Sequence, residues 1–583
     1  MKQNRSNREG KTRDFIIIIL SVIAILVCVT VLFPQVRRMM MNLAAQIVHK
    51  EASTYQTWLK ALFSYALGGI CFILFFDYCT LTNSGRALVN KMKQEIKECL
   101  SEIDFKVFVR PTLLMFIIYL LGVLTIFRAN FLYLDDVSRS IVGYRGWYDW
   151  SRYVSEIASI FVHSDTNLTE ISPLPQLLAI LILAFSSVLL VYIIGKKKIT
   201  TVRLLASIPL GLSPYFIECL AFKFDAPYMA LSVLASIIPF LFVAHKKAFL
   251  LISVASLLIM VMTYQAASGI YMMIVVILGF QYWNNREKSN KEILSLLGIA
   301  VLAFCFAMLL FRFFLMRDLN KEDSGYVSNS MHSIPNILIG ILINIKRYAE
   351  TIIHDFGITW KIGVGLVLLL FIVQSMRRSV RKKYVSLFVS VVIICLSFAI
   401  SYGVYSLLRT TSYEPRALIG FGAFLACFCI YLVLDYKKAA IVTVVALNWC
   451  FFVFAFSYGN ALADQARYAE FRISILLHDL STLYPNLGRD DMSFYLKNSI
   501  DYTPSVMNIS KRYPIIEKLV PKRLGDESVW DRYYYIRCFN FSNYHGVLYG
   551  IADYDALNFP VVLDSYYHTI RSDGSRVLIL LKH

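Results

Sequence analysis

The chain has 583 residues, of which 57% are hydrophobic and only 17% are charged, and its formal net charge is +19 at pH 7. A soluble globular fold of this length could not bury so much apolar surface, so the composition excludes that class. It also argues against nucleic acid as a partner, because the Lys and Arg residues fall in short clusters between apolar stretches instead of covering one soluble face.

Repeated apolar stretches of about 20 residues predict a polytopic all-α membrane protein with roughly 13 spans. In chain order, the predicted spans are 14–34, 59–79, 107–127, 174–195, 202–221, 228–244, 248–264, 268–283, 293–314, 361–376, 384–406, 417–434 and 438–458. The basic N-terminal segment and the first apolar stretch together resemble a signal peptide. No small-residue cleavage site follows them, so we expect the first span to be retained.

The basic clusters between the spans predict the topology. When the spans are threaded from a cytoplasmic N-terminus, one side of the membrane receives the clusters at 195–198, 245–247, 284–288, 377–383 and 435–438. Because basic loops tend to stay in the cytoplasm, this agreement favours a multi-pass protein of the bacterial cytoplasmic membrane. The same path places the C-terminal part of the chain outside the cytoplasm.

Three parts follow from this path. Residues 1–104 are predicted to form an N-terminal two-span extension with a cytoplasmic amphipathic segment, and residues 105–458 the main transmembrane bundle. Residues 459–583 begin with helical periodicity and end in short aromatic and β-branched runs broken by Asn, Gly and Asp. This pattern predicts a small mixed α/β extracytoplasmic domain at the C-terminus.

Two adjacent carboxylates, Asp135 and Asp136, follow the third predicted span at the start of a long polar loop. Acids at a membrane boundary are costly unless they pair, coordinate an ion or take part in chemistry. We therefore expect them to be catalytic, with a structural salt bridge or a helix cap as the alternative. Two adjacent carboxylates are a weak metal signal, so no cofactor is assigned, and a divalent cation held by Asp135 and Asp136 stays open.

The same loop combines aromatic and charged side chains, and its candidate substrate-binding residues are Arg139, Tyr144, Arg145, Trp147 and Trp150. Aromatic faces stack on sugar rings, and charged groups fix hydroxyls, so this composition indicates sugar binding. The alternative is an interfacial belt, because Trp and Tyr are enriched at membrane surfaces in any case.

Further charged residues lie at the other predicted outer boundaries. Glu218, Asp225 and Glu414 are candidate substrate-binding acids, whereas Lys223, Arg409 and Arg416 are candidates to hold a lipid phosphate. Arg in particular suits a bidentate grip on phosphate. The alternative for each cation is a side chain that snorkels from a helix end to the membrane surface. The chain has no glycine-rich phosphate loop, so if the protein transfers a group, an activated molecule dissolved in the bilayer fits better as the donor than a soluble nucleotide.

The chain contains, in order, the short motifs Leu134-Asp-Asp-Val-Ser-Arg139, Pro173-Leu-Pro-Gln176, Ser213-Pro-Tyr215, Phe224-Asp225, Tyr264-Gln265 and Pro415-Arg416. These motifs are similar to those of the bacterial and phage O-antigen glucosyltransferases that cause serotype conversion. The resemblance runs from about residue 105 into the C-terminal part. It implies a GT-C type fold, in which residues 105–458 are the catalytic bundle and the first outer loop carries the acidic residues.

The resemblance also implies the partners and the reaction. The donor would be a polyprenyl-phosphate sugar, with glucose as the expected sugar, and separate membrane proteins would synthesise and flip it. The acceptor would be a surface polysaccharide such as O-antigen. In the expected mechanism, Asp135 or Asp136 takes the proton from the acceptor hydroxyl, and the anomeric configuration inverts in one displacement. The alternatives are a polymerase of lipid-linked glycans and a flippase or other transporter. A transporter usually carries charges inside its spans, whereas these spans are almost free of acids.

Overall fold

The computed structural model describes residues 83–316, 331–485, 493–524, 538–539 and 559–582. The predicted spans 14–34 and 59–79 lie outside these residues, as do the aromatic residues 530 and 533–535. The described chain falls into two compact units: residues 83–102 with 308–316, and all the remaining residues. In the first unit, helix α1 (Asn83–Ser101) occupies the predicted amphipathic segment.

The second unit is built almost entirely from helices. In chain order these are α2 (Lys106–Ala129), α3 (Asp135–Val142), α4 (Tyr153–His163), α5 (Leu174–Ile194), α6 (Thr201–Ala206), α7 (Pro209–Leu212), α8 (Pro214–Ala221), α9 (Ala226–Ile237), α10 (Lys246–Val261), α11 (Ser268–Asn284), α12 (Asn290–Leu310, whose end belongs to the first unit), α13 (Ile337–Asp355), α14 (Ile358–Arg378), α15 (Lys383–Ser401), α16 (Gly420–Leu432), α17 (Lys438–Leu483), α18 (Pro504–Arg512) and α19 (Ile516–Leu519).

Eight helices of the described chain are long and apolar enough to cross a membrane. A ninth span exists if the bent pair Thr201–Leu212 and Pro214–Ala221, which turns by 63°, is counted as one. Eleven of the predicted spans fall among the described residues. With the bent pair counted as one span, nine of them are matched and two are not. At the two unmatched spans, 228–244 and 248–264, the structure has the short helix Ala226–Phe242 and the 16-residue helix α10. A helix of 16 residues is about 24 Å long, which is less than the hydrocarbon thickness of about 30 Å. The eight long apolar helices confirm the membrane character of the protein, but the predicted count of roughly 13 spans is not confirmed.

The centre of the bundle is formed by helices that are apolar on every side. All residues of α16 are buried, and α9 packs closely against α5. A helix with this pattern belongs inside a bundle, because it has no polar face to present. Close packing is visible at Gly422, where an added Cβ would lie 2.3 Å from the Ser213 Oγ atom. Ser213 in turn caps α8 by accepting a hydrogen bond from the Phe216 N–H.

Helix α13 lies between the predicted spans 293–314 and 361–376, in a segment for which the sequence predicts no span. Its buried residues recur every four positions, at Gly340, Asn344, Tyr348 and Ile352, while Leu338 and Leu342 on other faces are exposed. This spacing places the buried residues on one helix face. The charged residues 346, 347 and 350 break the apolar run without breaking the helix, and α13 is not among the helices that are long and apolar enough to cross a membrane.

The C-terminal part contains a small mixed sheet, as the sequence predicts. Its strands are β1 (Ser493–Lys497), β2 (Val561–Asp564), β3 (His568–Ser572) and β4 (Arg576–Leu581), in the spatial order β1-β4-β3-β2. Strand β1 pairs with β4 in parallel, and the other two pairs are antiparallel.

Helix α17 connects the bundle to this sheet. It has 46 residues, and at about 1.5 Å per residue it is too long for its whole length to lie in the hydrocarbon. Its last turns bury Ile473, Leu476 and Leu480 against Phe494 and Ile579 of the sheet. The buried Arg472 donates hydrogen bonds of 2.8 Å to the Tyr567 and Lys582 carbonyls. One rigid helix thus carries the sheet and supports the site described next.

Candidate active site

The two adjacent acids lie in the first turn of the short helix α3. Acidic side chains are favourable there because they face the positive end of the helix dipole. The helix ends at Gly143, whose φ of +72° is the left-handed conformation that glycine adopts easily, and the Gly143 N–H donates to the Arg139 carbonyl. Val137 of this helix is buried in the same apolar cluster as Ile473 and Phe494. Helix α3 is therefore held in place by the C-terminal part of the chain.

This packing gives the two acids different environments. Asp135 is exposed, whereas Asp136 is completely buried. The Asp136 Oδ2 atom accepts hydrogen bonds from the Tyr133 N–H (3.1 Å) and the Lys223 N–H (2.9 Å). Its Oδ1 atom has no hydrogen-bond partner among the described residues. Burial raises the pKa of Asp136 to about 7, although the Lys223 hydrogen bond and the Arg139 charge oppose this rise.

Arg139, Trp147 and Asp225, three of the predicted substrate-binding residues, form one buried cluster. The Arg139 guanidinium makes an ion pair with the Asp225 carboxylate and lies 4.3 Å from the centre of the Trp147 ring. The Trp147 Nε1–H donates to the Asp225 Oδ1 atom at 2.5 Å, and Tyr228 packs edge-on against the indole. Because Arg139 and Trp147 both bind Asp225, the immediate effect of the cluster is to hold the loop against the start of α9.

Lys223 reaches the same region from the turn before α9. Its backbone N–H binds Asp136, and its buried side chain donates to the Asn130 Oδ1 atom (2.6 Å) and the Glu170 Oε1 atom (2.5 Å). Neither Asn130 nor Glu170 is among the site residues predicted from the sequence. Asn130 has a positive φ of 47° at the end of α2, and an Asn at a helix terminus is a recognisable signal. Glu170 carries no such signal, since it is one of several polar residues in a loop.

Glu218, which is buried, and Arg416, which is half-buried, form a second ion pair. The Arg416 Nη1 atom lies 2.7 Å from Glu218 Oε1, and the Arg416 backbone N–H also donates to this carboxylate. The Tyr133 hydroxyl donates to Glu218 (3.2 Å) and to the Leu519 carbonyl (3.0 Å). Tyr133 thus links Glu218 to the loop that carries Asp136. It was missed because, between two leucines, a tyrosine looks like part of an apolar run.

The other predicted residues lie around these clusters. Arg145 makes an ion pair with Glu156, at 3.1 Å, and the Trp150 carbonyl accepts a hydrogen bond from the Gln265 side chain. Tyr144 and Trp150 are 47% and 38% exposed. Within the described ranges, no ion pair joins Arg409, which is exposed, or Glu414, which is half-buried, to these clusters. The same residues contain no group of three or more His, Cys, Asp or Glu side chains placed to hold a metal ion.

The site contains a buried acid with a raised pKa, surrounded by paired charges and exposed aromatic rings, and it lies beside a bundle of apolar helices. This combination is typical of an enzyme embedded in a membrane. The comparison with protein families gives the particular class. A family model described as "Glucosyl transferase GtrII" matches residues 124–456, which is more than half of the chain. The chain therefore belongs to the GtrII glucosyl transferase family, and the protein is a hexosyltransferase. This confirms the resemblance drawn from the motifs.

A relative is known in Salmonella phage P22, where it is described as an uncharacterized 55.3 kDa protein in the gtrB 5′ region. The two chains are 25% identical over 443 residues, which cover 73% of this chain and 88% of the phage protein. No solved structure matches the protein.

Proposed function

We propose that the protein transfers glucose from a polyprenyl-phosphate donor to a surface polysaccharide at the outer face of the bacterial cytoplasmic membrane, and that Asp136 is the general base. The observation that carries the assignment of the base is the environment of this carboxylate. A pKa of about 7 leaves a fraction of Asp136 ionised at neutral pH and makes that fraction a competent base. Its unpaired Oδ1 atom supplies the acceptor for a proton.

The proposed step is a single displacement. The acceptor hydroxyl oxygen attacks the anomeric carbon and forms the new glycosidic bond, while its proton moves to Asp136. The bond between the anomeric carbon and the phosphate oxygen breaks, and the polyprenyl phosphate leaves with the electron pair. Because attack and departure occur on opposite faces, the anomeric configuration inverts.

The cations near Asp136 enter this proposal as positioning residues. Lys223 and Arg416 were predicted to hold the donor phosphate, but each already binds a carboxylate, Glu170 and Glu218 respectively. We propose that Lys223 orients Asp136 through its backbone N–H and that Arg416 fixes Glu218. The assignment of Arg409 to the phosphate stays a prediction.

The exposed aromatic residues provide the proposed acceptor site. Tyr144 and Trp150 lie in the loop between α3 and α4 with much of their surface uncovered. Aromatic rings held at a surface present apolar faces on which sugar rings stack. Membership of a glucosyl transferase family favours this transfer over the polymerase and transporter alternatives.

The test is glucosyl transfer from synthetic polyprenyl-phosphate glucose to lipopolysaccharide in membranes with matched expression. We expect Asp136→Asn to lower the transfer rate by about 10²-fold or more, because the variant has no base. The adjacent and exposed Asp135→Asn is the matched control and should stay within a few-fold of wild type. Full activity of Asp136→Asn would exclude this residue as the base.

A further inference from the structure

A second charged site lies away from Asp136, at the end of helix α18. The helix begins at Thr503, whose hydroxyl accepts a hydrogen bond from the Val506 N–H, and its last turn carries Lys511 and Arg512. The following residue, Tyr513, stacks on Trp360 with a distance of 5.2 Å between ring centres. Trp360 lies in the first turn of the apolar helix α14, so the basic end of α18 is fixed against the bundle.

A pocket of about 390 Å³ opens between this helix end and the long helix α17. Its lining residues are Ser457, Asn508, Ile509, Lys511, Arg512 and Tyr513. Ser457 belongs to the apolar part of α17, and the neighbouring Phe456 is 41% exposed on the outside of the bundle. The pocket is therefore polar on the side of α18 and adjoins a surface that would face lipid.

The two cations of this pocket differ from those near Asp136. Arg139, Lys223 and Arg416 each make an ion pair with a carboxylate. Among the residues that the structure describes, no carboxylate lies within ion-pair distance of Lys511 or Arg512, and both side chains are exposed. Two neighbouring cations without a counter-ion, beside the amide of Asn508, form a donor-rich site for an anion.

We propose that this pocket binds the phosphate group of a membrane lipid. Lipid phosphates are the abundant anions at a membrane surface, and juxtamembrane Lys and Arg residues attract them. A lipid bound here would place its phosphate between Lys511 and Arg512 and its chain along the exposed side of α17. Two lipids supply this chemistry, a polyprenyl phosphate and an anionic phospholipid. Only the assignment to the polyprenyl phosphate rests on the proposed function.

The experiment measures binding without turnover. Purified protein in nanodiscs of zwitterionic lipid is titrated with a short-chain polyprenyl phosphate and, separately, with phosphatidylglycerol. The test variant is Lys511→Gln/Arg512→Gln. The control is Arg467→Gln/Lys522→Gln, which removes the same charge from two exposed cations that already pair with Asp464 and Asp501. A second test variant, Asn508→Asp, adds a negative charge to the pocket and keeps both cations.

We expect the double test variant and Asn508→Asp to weaken the binding of a lipid phosphate by about tenfold or more, and the control to change it little. Loss for the polyprenyl phosphate alone supports a substrate site, and loss for both lipids supports a general lipid-phosphate site. Unchanged binding of both lipids in both test variants would overturn the inference. Lipid binding needs no turnover, so Asp136→Asn should bind a lipid phosphate as wild type does. If neither wild type nor any variant transferred glucose, that outcome would contradict the proposed function and leave the binding result unaffected.

Discussion

At the scale of single residues, the decisive feature is the difference between two neighbouring acids. Residues that are adjacent on a helix point about 100° apart, so one can face the protein while the other faces solvent. Asp136 is the buried member, and burial disfavours its charged form. A general base must be ionised to act. The activity of the enzyme should therefore follow the ionisation of this one carboxylate.

This gives a prediction for the pH dependence of the reaction. As the pH falls through about 7, Asp136 takes up a proton and loses its function as a base, so kcat/KM should decline on the acidic side and reach a plateau above this value. The measurement is the transfer rate in membranes between pH 5 and 9, at a fixed donor concentration. A profile that stays level between pH 6 and 8 would argue against Asp136 as the base.

The same pKa predicts a change in stability. The folded state keeps the Asp136 proton up to about pH 7, whereas the unfolded chain releases it near the ordinary value of 3.8. Between pH 3.8 and about pH 7, the folded state thus binds more protons than the unfolded chain. The contribution of Asp136 to the free energy of unfolding therefore falls as the pH rises through this range. Asp136→Asn should raise the melting temperature at pH 8 relative to wild type and have a smaller effect at pH 4. Asp135→Asn is the control, and an equal effect at both pH values would contradict the burial argument.

Asp225 supports a third prediction at this scale. Its carboxylate neutralises the buried Arg139 and accepts the Trp147 Nε1–H. Asp225→Asn leaves the guanidinium buried without its counter-ion, which typically costs about 3–5 kcal/mol. We expect a large fall in the melting temperature, and a partial recovery in Arg139→Met/Asp225→Asn because no uncompensated charge remains. If the double variant is no more stable than Asp225→Asn, the buried charge is not the cause.

At the scale of elements, the short helix α3 depends on how it ends. Gly143 has a positive φ, and a Cβ atom there would lie 2.2 Å from the Asn167 Oδ1 atom. The turn brings the Gly143 carbonyl to the Leu168 N–H at 2.8 Å. The backbone conformation at this position therefore favours glycine, and an added Cβ would also require the exposed Asn167 side chain to move. The end of α3 is coupled in this way to the loop that leads back to the bundle.

Gly143→Ala should accordingly disturb the helix that carries Asp136. We expect a loss of about 1–3 kcal/mol in stability, together with a lower transfer rate in the protein that remains folded. Gly298→Ala is the matched control, since it lies inside helix α12 with nothing within 4 Å of the added Cβ, and it should be neutral or slightly stabilising. The measurements are the melting temperature in detergent and the transfer rate. Equal behaviour of the two variants would refute the preference for glycine.

At the scale of the whole second unit, the C-terminal part is a structural support for the site. Val137 of α3 shares one apolar cluster with Ile473 of α17 and with strands of the sheet. The Tyr133 hydroxyl binds the Leu519 carbonyl, which lies in the segment after α18. The loop with Asp136 is therefore fixed from two sides, by the bundle through Lys223 and by the C-terminal part.

Ile473→Ala tests this support from a position that touches no polar group of the site. The cavity should cost about 2–5 kcal/mol, and because it lies under α3, the transfer rate should fall more than the amount of folded protein does. The control is Val442→Ala, an aliphatic truncation on the same helix at a residue that is 66% exposed. A transfer rate per folded molecule equal to that of wild type would show that the cluster does not position the acid.

The sequence by itself determined the membrane class and most of the described spans, and it supplied the candidate site residues. Apolar runs of span length need no tertiary context, and charges at the ends of such runs are rare enough to identify Asp136, Lys223, Glu218, Asp225 and Arg416 as candidates. The resemblance carried by the short motifs identified the family. These features are local in the chain, so they can be identified from the sequence without the tertiary structure.

Only the tertiary structure decided which of these residues meet and which acid is buried. The pairs Arg139–Asp225 and Glu218–Arg416 join residues 86 and 198 positions apart, and no local pattern encodes such a distance. The burial of Asp136 depends on Val137 entering a cluster built from α17 and the sheet. The pKa of an acid is set by desolvation and by neighbouring charges, which exist only after the chain has packed.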